Sequence, residues 1–297
     1  AEDSFQAISE GGDYNGTYTV SYDHSYENLD GSSNDYVSTI TNTMKTAADY
    51  TGIKEWERGS KPENENSVTV TLELEYLRDL GNGQTEWTRI GEFTQVILDG
   101  EADPPTGNFY EVESWKALWT NLPKQIPGGV VNYFGQTPYR AVEVDISDGY
   151  QQVGSDDSQA PNQTTITNRA VVSLNVKKTW MGLSDEEKAR KTVEVELWRE
   201  NADGTKEQVR DDDGNPRTAV LNADSNWEAT FENLPKYDLS DSTKVSLYTY
   251  YAVETKIDGK PINNQEFEVS HENDSLANGN FVTHVTNRAL TELTVTK

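Results

Sequence analysis

The stretch WKALWTNLPK at residues 115–124 returns as WEATFENLPK at 227–236. Six of the ten positions are identical, and the aromatic at the fifth stays aromatic. A chain that repeats itself at this distance is built from copies of one structural unit, which narrows its fold more than any single residue does. Further matches flank this one in the same order. Upstream, IKEW (53–56) pairs with KKTW (177–180), both ending Lys-x-Trp. Downstream, YRAVEV (139–144) pairs with YYAVET (250–255), and TITNRA (165–170) pairs with HVTNRA (284–289).

Each copy also carries an alternating stretch, SVTVTLELEYL (67–77) and TVEVELWRE (192–200), the pattern of a half-buried strand. Hairpin signals follow, GNG at 81–83 and ADG at 202–204. No segment has a strong helical period. SDEEKARK (184–191) has the make-up of one exposed helical turn and is read as a loop. Units of about 110–125 residues with many short strands fit a β-sandwich. The expected fold is all-β: tandem β-sandwich domains in an elongated array. Residues 46–170 and 171–289 are the two complete repeats. Residues 1–45 read as the C-terminal part of a preceding repeat, because GTYTVSYD (16–23) resembles EFEVSHEN (266–273) and TITNT (39–43) resembles THVTN (283–287). Residues 290–297 read as the first strand of a following repeat, with LTVTK (293–297) resembling SLNVKK (173–178).

The formal net charge of −26 argues against nucleic-acid binding and against docking on anionic membranes. It describes a solvated, self-repelling surface. No apolar run is long enough to span a membrane. The chain has no cysteine, which excludes disulfides and thiolate zinc sites. Its three histidines, His24, His271 and His284, are scattered, and neither a metal nor a cofactor is expected. Phosphate-cradling, GxSxG and HExxH motifs are missing, so a turnover enzyme is not expected. Acidic residues are so abundant that paired carboxylates say little about a hydrolase. The DDDG run at 211–214 lacks the further ligands of an EF-hand and is read as a solvated turn.

Three residues stand out because they recur together. Lys178 follows Leu174 and Val176 on the apolar face of a strand, where an unpaired ammonium is costly. Glu254 shares a face with Tyr250 and Ala252, and Asn287 shares one with Val285. Taken singly, the lysine reaches the rim, the glutamate is exposed and the asparagine starts a turn. The same trio in the same order in both repeats calls for one shared cause.

The Lys-x-Trp start, the W-x-A-x-[WF]-x-N-L-P-K turn, the Y-x-A-x-E strand and the closing Thr-Asn resemble Cna protein B-type (CnaB) domains. These are Ig-like sandwiches from surface adhesins and pilins of Gram-positive bacteria, and the resemblance covers nearly the whole chain. It implies an intramolecular isopeptide bond between a first-strand lysine and a last-strand asparagine, assisted by a glutamate. Carried over by position, the catalytic residues are Glu143 and Glu254, and the crosslinked pairs are Lys54 with Asn168 and Lys178 with Asn287. Lys177 points outward by alternation. Lys45 rivals Lys54 but lacks the tryptophan two residues on, and Lys54 follows Asn42 by twelve residues where Lys178 follows Asn168 by ten. The first repeat is therefore the weaker case. Asn42 and Lys297 hold the corresponding places in the partial repeats, either within one longer polypeptide or between copies.

The resemblance further implies a structural stalk on the surface or cell wall of a Gram-positive bacterium. Its partners would be neighbouring repeats or subunits of the same fibre. A direct adhesin is the alternative, with EADPPTGNFYEVES (101–114) and PGGVVNYFGQTP (127–138) as loops facing a host or surface ligand.

Overall fold

In a computed structural model, residues 18–27, 35–44, 47–90, 94–105, 107–133, 136–158, 160 and 162–290 are described, the first two segments and Ala47 as backbone only. The chain divides into two compact units. Among the described residues, one holds those up to Trp56, Lys61–Asp148 and Gln152–Asn168. The other holds Glu57–Ser60, Gly149–Gln151 and the residues from Arg169 onward. Apart from short helical turns the described residues are strand and loop, as the alternation requires.

In the first unit, β1 (Tyr18–Glu27) and β2 (Asp35–Met44) pair antiparallel, with Val20 opposite Asn42. One sheet of the sandwich centres on β3 (Ala47–Trp56), and the other on β4 (Val70–Gly81), with β5 (Gln84–Arg89) and β6 (Val96–Leu98) on one side of β4. The GNG signal forms its hairpin: Gly81 pairs with Gln84, and Asn82 and Gly83 both take positive φ, as a two-residue turn matched to strand twist demands. β7 (Phe109–Glu113) pairs with β8 (Lys116–Pro123), and β8 with β3. β9 (Tyr139–Ile146) pairs with β4 on its other side. β10 (Tyr150–Asp156) pairs with β11 (Gln163–Met181), whose first residues run parallel to β3. Val70, Leu72, Leu74, Ala117, Trp119, Ala141 and Ile166 are buried between the sheets.

The second unit repeats this plan. The second half of β11 pairs antiparallel with β15 (Glu228–Pro235) and parallel with β21 (Phe281–Ala289). β20 (Phe267–Ser275) pairs with β21. The facing sheet has β12 (Val193–Glu200) between β18 (Thr249–Ile257) on one side and β13 (Lys206–Gln208) with β14 (Thr218–Leu221) on the other. Two-residue strands β16 (Tyr237–Asp238) and β17 (Ser246–Leu247) pair with each other, and β19 (Lys260–Pro261) with β18. Val172, Leu174 and Val176 of β11 meet Val193, Val195 and Leu197 of β12 in one core.

One sequence reading is corrected. SDEEKARK is not a plain loop: Asp185–Lys188 form a helical turn, α1. Ser184 accepts from the Glu187 N–H, and Glu187 reaches back to the Ser184 N–H. This capping box satisfies two otherwise orphaned donors, which lets so short a turn form without a hydrophobic face. Residues 170 and 171, where a domain boundary is expected from sequence, lie inside the continuous strand β11.

The repeated motifs interlock. The Tyr139 and Tyr250 hydroxyls donate to the Pro123 and Pro235 carbonyls, at 2.6 and 2.7 Å, tying the Y-x-A-x-E strand to the NLPK turn. Asn121 and Asn233 of that turn both adopt positive φ, a conformation asparagine tolerates better than most residues. Leu122 and Leu234 beside them are fully buried.

Candidate functional site

In the second unit, Lys178 lies on β11 opposite Val285 of parallel β21, and Asn287 lies opposite Trp180. Parallel register puts Lys178 and Asn287 on one face, two residues apart, and that face is buried. Glu254 comes from β18 of the facing sheet. Its Oε2 lies 3.0 Å from Lys178 Nζ, and neither side chain is accessible to solvent. The Asn287 amide nitrogen donates to Glu254 Oε1 at 2.7 Å. Burial lowers the Lys178 pKa to about 8, against the opposing pull of Glu254.

The first unit assembles the same set. Lys54 on β3 lies opposite Ile166, and Asn168 lies opposite Trp56, again sharing one buried face. Glu143 on β9 receives the Asn168 amide nitrogen at 3.1 Å on Oε1 and 2.8 Å on Oε2. Lys54 Nζ stands farther from its carboxylate, at 3.8 Å, and donates instead to the carbonyls of Glu55 and Ile166 at 3.0 and 3.1 Å. Burial lowers the Lys54 pKa to about 7, with Glu143 opposing. Burial also raises the Glu143 carboxyl, with Lys54 and Asn168 opposing.

Both sites share an unmet demand. Asn168 Oδ1 and Asn287 Oδ1 are buried without a hydrogen-bond partner. An unsatisfied buried acceptor costs roughly 1–3 kcal/mol. Turning the amide over and protonating the facing carboxyl satisfies it, because the acid O–H then donates to the amide oxygen. The lysine in each site is roofed by the tryptophan two residues on: Lys54 Nζ is 4.8 Å from the Trp56 ring and Lys178 Nζ 4.5 Å from that of Trp180. The arrangement can bring a neutral amine, a polarisable amide and a proton-carrying carboxyl together away from water.

Lys177 is exposed and pairs with Glu228 at 3.5 Å. The backbone of Asn42 lies on β2, while its side chain, Lys45 and Lys297 lie outside the described residues. Sequence reasoning missed three supports. Thr164 and Thr283 stand four residues before the asparagines, and their hydroxyls accept from the Ala141 and Ala252 N–H at 3.0 Å. These bonds pin the glutamate strand against the asparagine strand across the sandwich. The T-x-x-x-N spacing was visible twice in the sequence. His271 Nε2 accepts from the Glu254 N–H at 3.1 Å, and burial lowers its pKa. Trp115 and Trp227 were seen only as repeat markers.

No curated protein matches the chain in sequence. Among solved structures, a single B repeat unit of the collagen binding surface protein of Staphylococcus aureus aligns at 19% identity, covering 83% of this chain and 100% of that one, with a TM-score of 0.28. Pilus adhesin SpaC from Lactobacillus rhamnosus GG aligns at 17% identity over 75% of this chain and 26% of that one, TM-score 0.30. Shaft pilin SpaA from the same bacterium aligns at 13% identity over 84% of this chain and 100% of that one, TM-score 0.25. All three superpose loosely. The family model for the Cna protein B-type domain matches residues 174–287, a span that begins on the lysine strand and ends on the asparagine of the second site. The segment 174–287 therefore belongs to the Cna protein B-type domain family.

Proposed function

We propose that this chain is a stalk segment of a Gram-positive cell-surface adhesin or pilus, and that each unit is locked by an intramolecular Lys–Asn isopeptide bond. The observation that carries the reading is the buried Lys–Glu–Asn set, present in both units on corresponding strands. No helix among the described residues is long and apolar enough to cross a membrane.

The chemistry follows from the types of group. A neutral lysine is a nucleophile and an ammonium is not. Burial supplies the neutral form by lowering the Lys54 and Lys178 pKa values to about 7 and about 8. The glutamic acid donates to the asparagine carbonyl oxygen and polarises its carbon. Nζ attacks Cγ, the C–N bond to Nδ2 breaks, and the glutamate relays a proton from Nζ to the departing nitrogen, which leaves as ammonia. The fold supplies proximity, so neither a second protein nor a cofactor takes part. The reaction runs once, making each glutamate a single-turnover catalyst.

The bond joins the first and last strands, closing 114 residue steps between Lys54 and Asn168 and 109 between Lys178 and Asn287. By analogy with a disulfide, a loop near that length is worth about 4.7 kcal/mol of chain entropy. Tension within a unit would pass along the covalent link and spare the strands between. An amide is not reduced, which suits a chain without cysteine.

The test is the intact mass of the denatured chain. Each bond expels one ammonia, about 17 Da, so two bonds give a deficit of about 34 Da. An unshifted mass would sink the covalent reading. The adhesin reading is favoured by one observation: Tyr133 is 98% exposed in the loop 127–138, with Val131 53% exposed beside it. Exposed apolar side chains on a loop suit ligand contact. Binding of the chain to immobilised matrix proteins, lost on Tyr133→Ser, would support adhesion; equal binding by both forms would remove this loop from the account.

A further inference from the structure

Trp115 and Trp227 both adopt φ of +63°. A bulky residue in the left-handed region is a steric outlier, and glycine would take the same turn without strain. Finding tryptophan there in both repeats means that the side chain is kept for what it touches.

The contacts are the same twice over. The Trp115 carbonyl accepts from the Lys54 N–H at 2.8 Å, and the Trp227 carbonyl accepts from the Lys178 N–H at 2.8 Å. Each is the last bond of its ladder, because β8 begins at Lys116 and β15 at Glu228, one residue after the tryptophan. The left-handed turn thus sends the neighbouring strand away at the level of the reactive lysine. It also swings the indole onto the tryptophan that roofs the amine. The Trp115 and Trp56 rings meet edge-on at 4.9 Å and 84°, and those of Trp227 and Trp180 at 5.6 Å and 80°.

The supports beneath the turn differ. The Trp115 N–H donates to Glu111 Oε1 and its indole N–H to Glu65 Oε2, whereas the Trp227 N–H donates to the Asn222 carbonyl. One unusual conformation reached by two unrelated sets of hydrogen bonds is a conformation with a use.

We propose that Trp115 and Trp227 are positioning residues for the crosslinking lysines, clamping the lysine backbone through their carbonyls and bracing the Trp56 or Trp180 wall over Nζ through their indoles. This rests on the crosslinking reading above. With the brace removed, the roof loosens, water reaches the amine, and the lysine is both less well aimed and more readily protonated.

The experiment uses the full chain made by cell-free synthesis and chased at a series of pH values. Samples are quenched in acid denaturant and weighed intact, and peptide masses assign each ammonia loss to its repeat. In Trp227→Gly, the Lys178–Asn287 bond is expected to form about tenfold more slowly, with the midpoint of its pH–rate profile raised by about one unit. The Lys54–Asn168 bond of the same molecule keeps its wild-type rate and serves as the internal clock. Trp227→Phe, which keeps an aromatic edge, is expected to fall between the two and carries the test if the glycine variant does not fold. An unchanged rate overturns the proposal. So does a rate reduced equally at every pH, which is the mark of a merely loosened fold. A wild-type chain that loses no ammonia in either repeat overturns the crosslinking reading itself, a result separable from either of these.

Discussion

The inner face of β3 carries Tyr50, Gly52, Lys54 and Trp56, while the matching face of β11 carries Leu174, Val176, Lys178 and Trp180. The lysine and tryptophan are fixed and the two positions before them are not. Gly52 is there because its space is taken: a Cβ would sit 3.0 Å from Leu72 Cδ1 and 3.0 Å from the Trp119 ring. In the second repeat the partner opposite Leu174 is the smaller Phe231, and Val176 supplies the missing bulk. Core volume is conserved across facing strands even though no single position conserves it, as close packing requires. The lysine stands outside this trading, facing a glutamate carboxylate in both repeats.

The two lysines also differ in what holds them. Lys178 faces its carboxylate directly at 3.0 Å, whereas Lys54 donates to two carbonyls and stands 3.8 Å from Glu143. Burial lowers both lysines, to about 7 for Lys54 and about 8 for Lys178, and at Lys178 it is opposed by both the charge of Glu254 and the hydrogen bond to it. The first repeat, weaker as a sequence match, thus holds the same three groups in a different arrangement of hydrogen bonds.

The comparison breaks most visibly under removal of the asparagines. Asn168→Ala and Asn287→Ala should each abolish one ammonia loss relative to the variant's own sequence mass and destabilise their own unit by about 4.7 kcal/mol, nearly equally because the closed loops are of nearly equal length; unequal denaturant midpoint shifts would show that local geometry, not chain closure, sets the gain. Replacing the glutamates separates catalysis from closure. Glu143→Ala and Glu254→Ala should slow bond formation by about 10²–10⁴-fold, followed by mass against time, and a variant that crosslinks at the normal rate would remove its glutamate from the mechanism.

Volume trading gives the next effect. Gly52→Val should cost about 1–3 kcal/mol by overpacking, and Trp119→Phe in the same chain should recover part of it. Failure of the second change to help would mean that the two repeats do not share one volume rule. The Trp119 indole N–H also donates to the Thr94 carbonyl at 2.6 Å, so recovery should be incomplete.

A smaller difference lies in pH. Attack needs the neutral amine, so each rate should rise with pH and level off above the folded lysine pKa. Burial lowers Lys54 further than Lys178, so at neutral pH the first bond should form faster than the second where deprotonation limits the rate. In an unreactive Asn168→Ala chain the unfolded state holds the Lys54 proton more tightly. The lysine contribution to stability should therefore rise between about pH 7 and 10.5, and below pH 7 the burial penalty is present in full. Glu143, raised by burial, acts with the opposite sign, its contribution falling as pH rises through its folded pKa. The smallest effect serves as the control: Lys177→Ala removes a half-exposed ion pair and should change stability by less than about 0.5 kcal/mol, with no change in the number of ammonia molecules lost.

Much of the site was legible because strand alternation has a period of two. Once Leu174 and Val176 mark the inner face, Lys178 must lie on it and Lys177 must not. The α1 turn was misread because its stability comes from a reciprocal cap between Ser184 and Glu187 rather than from any periodicity. Thr164 and Thr283 went unnoticed because a threonine within a strand is ordinary, and its value here depends on an alanine N–H across the sandwich. The left-handed conformation of the tryptophans left no mark in the sequence, since residue type signals positive φ for glycine and, more weakly, asparagine, and not for tryptophan.

The sequence by itself determined the repeat, the all-β class, the faces of the strands and the identity of the lysine, glutamate and asparagine in each copy. Those are properties of local order, in which side-chain direction follows from position along one strand. Only the tertiary structure decided which carboxylate oxygen meets which amine, that Lys54 rests on two carbonyls while Lys178 rests on Glu254, and that a tryptophan turns backward at the lysine. Those depend on how two sheets approach and on how volume is shared between them, and distances across a sandwich are fixed by all the side chains that fill it.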